Sequence, residues 1–128
     1  MNLIEQVARH LEFCGFGTVA DAETEGDIFW GHMPDKPDEC VCVFSTDSSY
    51  AGSRNGARVQ ITTRGKSAKA AYELSQAIAE ELADYVGFLA GDGANVRIKV
   101  ENASHGLGAD SVRREIYSSN FRVYYCDY

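Results

Sequence analysis

The residues that could do chemistry are few, and their spacing argues against most of it. Gly65-Lys66-Ser67 stands between a β-type run and a helical one, as the end of a phosphate-binding loop does. The complete loop needs a glycine at position 60 so that backbone amides can wrap the phosphates, and Gln60 stands there instead. A strand-to-helix turn capped by Ser67 is the simpler reading. Cys40-Val41-Cys42 sets two thiols on one face of a strand, whereas zinc ribbons hold paired ligands in turns and complete the site with a second pair. His10 and Cys14, one helical turn apart, do not supply that pair, and cysteines acting as small apolar residues account for the pattern. His10, His32 and His105 each lack a nucleophile setting, and Glu80-Glu81 lies on a polar helix face. The sequence predicts no catalytic, cofactor-binding or metal-ligating residue, with His10 solvated on a helix and His105 in a loop.

Composition narrows the function further. The chain has 128 residues, 45% hydrophobic and 24% charged, which suits one domain spanning residues 1–128. A chain of this length buries about two-thirds of its unfolded surface without disulfide staples. Its net charge of -7 repels nucleic acid, and twelve Lys and Arg among nineteen acids make no basic stripe for phosphates. Sequence-specific nucleic-acid binding is therefore not expected. Met1 to Val7 has neither the basic stretch nor the apolar run of a signal peptide, and no window approaches the roughly 18 apolar residues of a membrane span. The four cysteines are expected as reduced thiols in the cytosol.

Periodicity supplies the elements. Leu3, Ile4, Val7, Ala8, Leu11 and Cys14 share one face of a helix over 2–14, with Asn2 and Glu5 in a capping arrangement and Gly15 as the exit. Ile28-Phe29-Trp30 and Cys40 to Phe44 read as strands, joined by a connector in which Pro34 and Pro37 forbid helix and central strand. Ala57 to Arg64 alternates Val59, Ile61 and Thr63 against Arg58, Gln60, Thr62 and Arg64, predicting one buried and one polar face. A second helix over 67–86 carries the stripe Ala71, Leu74, Ile78, Leu82 and Tyr85. A fourth strand holds Val96, Ile98 and Val100; a mobile loop over 103–110 follows, then a final strand from Arg114 to about Cys126. The order α-β-β-β-α-β-β predicts an α+β domain: a mostly antiparallel sheet of about five strands with two helices on one face.

The final strand is crowded with aromatics: Tyr117, Phe121, Tyr124 and Tyr125, then Tyr128 beyond it. One buried face does not need that many. For Tyr124 and Tyr125 core filling and a subunit contact are both open, since Tyr is enriched at interfaces.

Ile28 to Phe44, with Met33-Pro34, Pro37, Val41 and Val43, then Val59 to Gly65, then Ala71-Tyr72, form a series that resembles the minor capsid proteins of phages infecting low-GC Gram-positive bacteria. Those proteins in turn look like relatives of the tail-terminator and tail-completion proteins of long-tailed phages. The resemblance covers roughly residues 2 to 86. It implies a structural virion protein with no cofactor and no catalysis. Such a protein forms a ring, commonly a hexamer, at the head-proximal end of the tail, contacting the tail-tube protein and the head–tail connector. Assembly would take place in the bacterial host cytoplasm. The resemblance puts Met33, Pro34, Pro37, Arg64 and Lys66 near subunit contacts. The loops 45–56 and 103–110 become docking candidates by their length. Tyr124 and Tyr125, on a final strand expected at a sheet edge, would complete the ring contact. Alternatives are a head-completion (neck) protein, a cytoplasmic non-catalytic binding module, and, least favoured, a hydrolase or metalloenzyme using Cys40, Cys42 and His10.

Overall fold

The computed structural model describes residues 2–45, 56–91 and 93–126. Helix α1, Leu3–Phe13, starts where Asn2 accepts the Glu5 N–H at 2.8 Å, and it ends into Gly15 at φ 91°. That is the expected capped entry and left-handed exit. Strands β1 (Ile28–Trp30), β2 (Cys40–Ser45) and β3 (Ala57–Gly65) follow. Helix α2, Ala68–Leu82, begins at Ser67, whose hydroxyl accepts from the Ala70 N–H at 3.1 Å.

Two boundaries differ from expectation. The second helix stops at Leu82 rather than 86, because Asp84 turns the backbone left-handed at φ 56°. Val86–Phe88 then forms a short sixth strand, β4, which leads into a single turn of 3-10 helix at Leu89–Gly91. The Gly-containing segment after residue 102 is not a loop. Strand β5 runs from Asn95 to Ala109, and register shifts after Val100, Asn102 and Gly106 absorb the irregular residues.

Strand β6, Glu115–Tyr125, corrects a larger expectation. The sheet order is β1-β2-β3-β6-β5-β4, so the final strand lies inside the sheet between β3 and β5 and is no edge. The β1–β2 pair is parallel and every other pair antiparallel. Both helices cover one face: α1 packs over β1 and β2, α2 over β3, β5 and β6. Val7 and Leu11 from α1 join Ile78 and Leu82 from α2, together with Val43, Ile61, Ile98 and Phe121 from the sheet, in one core. Thr63 faces this core and donates its hydroxyl to Ala71 O at 2.8 Å. The other face of β3 is less wet than its alternation predicts, since Thr62 and Arg64 are buried too.

Candidate assembly surface

Several of the groups that could do chemistry have partners inside the chain. Ser67 is the cap of α2, and Lys66 is exposed in the turn before it. The thiols of Cys40 and Cys42 lie 4.0 Å apart and buried; their hydrogen bond and the burial push Cys42 far up, away from the thiolate form. Cys14 is raised to about 11 by burial and by Glu81, whose carboxylate its thiol meets at 3.6 Å. Among the described residues no cluster of three His, Cys, Asp or Glu could hold a metal ion. No described helix is long and apolar enough to cross a membrane.

His10 is a correction to the sequence reading. It is 3% exposed, not solvated, and its Nδ1 accepts the Ala90 N–H at 2.8 Å. The ring lies 4.8 Å from that of Tyr85, and burial holds its pKa below the ordinary imidazole value. Thus α1 is tied to the turn that leaves β4. His105, expected in a loop, sits on β5 opposite Ser118. His10 Nε2 and His105 Nδ1 are buried without a hydrogen-bond partner among the described residues.

The proline connector is held by two arginines. Arg64 donates to the carbonyls of Pro37 at 2.6 Å, Asp38 at 3.1 Å and Asp35 at 3.3 Å. Arg114, just before β6, donates to Asp35 O, and pairs with Asp110 at 2.8 Å, Asp35 at 3.1 Å and Asp38 at 3.3 Å. The planar five-donor guanidinium suits such carbonyl and carboxylate forks. The Arg114 N–H and side chain hold Asp110 below its ordinary carboxylate value; Lys36 and Arg114 do the same for Asp38 against its desolvation.

The sheet ends are different. β4 pairs only with Asn95, Val96 and Arg97 of β5, so its outer side carries no strand among the described residues. The Ile98 N–H bonds to Tyr85 O and the Leu89 N–H to Ala94 O, which makes Val86 and Phe88 the residues whose backbone groups point outward. Their side chains are 57% and 52% exposed, and they share a face with Arg97 through the Val86–Arg97 pairing. Arg97 lies over the Tyr124 ring at 5.1 Å. At the opposite end, Val19 bridges to Ile28 and partly covers β1. A groove of about 550 Å³ opens there, lined by Ala20, Ala22, Phe29 and Pro37, with Asp21, Glu23 and Glu25 around it.

The residues singled out from sequence are therefore scattered. Met33, Pro34 and Pro37 are half-buried in the clamped connector, and Arg64 is turned inward to hold it. Tyr124 is half-buried in one row with Arg97 and Val86; Tyr125 is 41% exposed. The segment 103–110, a docking candidate as a loop, is mainly strand, and most of the 45–56 loop lies outside the described residues. Sequence reasoning passed over Val86, Phe88 and Arg114. A β-branched residue and a Phe flanking Gly87 past the helix stripe carried a signal for the first two; Arg114 had none, because its partners are remote.

No curated protein matches the chain. A solved structure shares 15% identity over 80% of this chain and 82% of its own, with a TM-score of 0.42, a likeness that carries no functional argument. A family model described as "Bacteriophage tail terminator protein" matches residues 17–125. The match leaves out α1 and takes in β5 and β6, well beyond the residues that carried the resemblance. Matched from Gly17 to the last residue of β6, the chain belongs to the bacteriophage tail terminator protein family.

Proposed function

We propose that this chain acts as a single terminator-like domain that assembles into a closed ring, a hexamer in the reading we favour, at the head-proximal end of a phage tail. The ring stops growth of the tube, meets the tail-tube protein on one side and the head–tail connector on the other, and does no chemistry. The protein assembles in the host cytoplasm and ends in the virion. The family match over residues 17–125 carries this reading. The open β4 edge supports self-assembly, because unpaired strand edges are liabilities in a monomer and become useful when a neighbour covers them. Met33, Pro34, Pro37, Lys66, Tyr124 and Tyr125 lie on the surfaces we assign to subunit or tail contact, with Arg64 supporting the connector from beneath.

Electron microscopy of a lysate from phage lacking this gene tests the proposal. Filled heads beside detached, overlong tails are the expected result. Tails of normal length beside emptied heads would favour the head-completion role. Normal virions at normal titre would overturn both.

A further inference from the structure

From the geometry of the two sheet ends we infer that copies of this chain join head to tail, the β4 edge of one seated in the β1-side groove of the next. The inference rests on the ring reading and names its contact. The β4 end is an open strand edge, apolar at Val86 and Phe88, with Arg97 and Lys99 on the same face. The β1 end is concave and apolar at Phe29 and Pro37, with Glu23 and Glu25 at its rim and its one lysine, Lys36, paired to Asp38. The occupant is a second copy because apolar side chains and opposite charges stand at the two ends of one chain.

Charge is used differently at the centre of the sheet and at its two ends. Central charges are matched within the chain, where Glu101 takes Arg58 at 3.1 Å and Arg122 at 3.0 Å; at the groove itself Asp21 takes Arg9 at 3.5 Å and Lys36 takes Asp38 at 3.6 Å. Glu23 and Glu25 at one end, and Lys99 at the other, have no ion pair among the described residues, and Arg97 has only the Tyr124 ring. For a chain of net charge -7, two copies repel in most orientations. Apposing these ends brings opposite charges together, which selects one orientation over others. A contact between two different surfaces is heterologous, and such contacts generate rings when the rotation closes.

The test uses two full-length variants, Arg97→Glu with Lys99→Glu, and Glu23→Lys with Glu25→Lys, supplied to phage lacking the gene. Each alone has two ends of like charge and should reduce titre by at least about a hundredfold, since apposed like charges cost several kcal/mol. Co-expressed, they can alternate around an even-numbered ring, and titre should recover. Circular dichroism and melting of each purified variant establish that the losses are not unfolding. Folded variants that support normal titre alone, or that fail to rescue one another, would overturn the head-to-tail pairing. Chemical cross-linking of wild-type protein, each variant and their mixture reads the same pairing without reference to tails. Cross-links lost in each variant and restored in the mixture, beside normal tails in the gene deletion, would retire the terminator role and leave the pairing standing. Terminator loss with charge-indifferent cross-links would do the reverse.

Discussion

The molecule uses arginine in two opposite ways at two places on its sheet. Around the proline connector, Arg64 and Arg114 turn inward and give their donors to carbonyls and carboxylates of residues 35–38 and 110. At the β4 edge, Arg97 is exposed over Tyr124, beside outward backbone groups and two exposed apolar side chains. The first region finds its polar partners within one chain, and the second has no strand on its outer side among the described residues. A polar residue near a suspected contact thus tells little by its type; what separates scaffold from interface is whether its partners lie in the same chain.

The largest effect expected from breaking this contrast is in the clamp. Arg64→Met keeps the buried stem but leaves three carbonyls with fewer donors, and should cost about 3 kcal/mol, or roughly 10 °C in melting temperature. Thermal denaturation at neutral pH measures it; an unchanged melt would show that the connector holds without the arginine.

Acid should then separate the two regions. Burial lowers His10 below its ordinary value of 6.5, with Glu81 opposing, so the unfolded chain takes up the proton first as pH falls. The stability carried by neutral His10 is complete well above 6.5 and declines as pH drops below it. Asp110 and Asp38 sit below their ordinary 3.8, so their contribution is present above that value and is lost as pH falls through their folded values. Between these windows the stability carried by neutral His10 is reduced while the clamp remains charged. Melting scans against pH should show two descents; His10→Gln should remove the upper one and Asp110→Asn should reduce the lower.

The smallest effect on folding belongs to the edge. Phe88→Ser should change monomer stability by no more than about 0.5 kcal/mol, because the side chain is already half in water. The same variant should lose self-association in cross-linking. A large loss of stability instead would place Phe88 in the core economy of the monomer.

Much of the scaffold was readable locally. Both helices announce themselves by apolar periodicity and by the caps Asn2 and Ser67, and the alternation at Val59, Ile61 and Thr63 marks the inner face of β3. What escaped was long-range. His10 finds its partner 80 residues away, and Arg64 finds carbonyls 26 to 29 residues away, so neither could be recognised as buried from its neighbours. Glycines at 106 and 108 read as a loop because local propensity cannot see β6 alongside them, with Gly106 opposite Tyr117 and Gly108 opposite Ile116. The place of β6 in the middle of the sheet is likewise a fact of strand order, on which a strand's own sequence is silent.

That central position governs when the protein can act. During synthesis, β1 to β3 and then β4 with β5 emerge as two half-sheets, each with an open side awaiting the same strand. Only after Glu115–Tyr125 leaves the ribosome can the halves lock together and β4 become the rim of a finished sheet. Pairing across such long sequence separations is slow and exposes edges while it waits. A chain cut short before Glu115 would carry two bare strands, β3 and β5, rather than a smaller folded domain. Because β6 follows both half-sheets in the chain, closure of the sheet waits until translation has passed it.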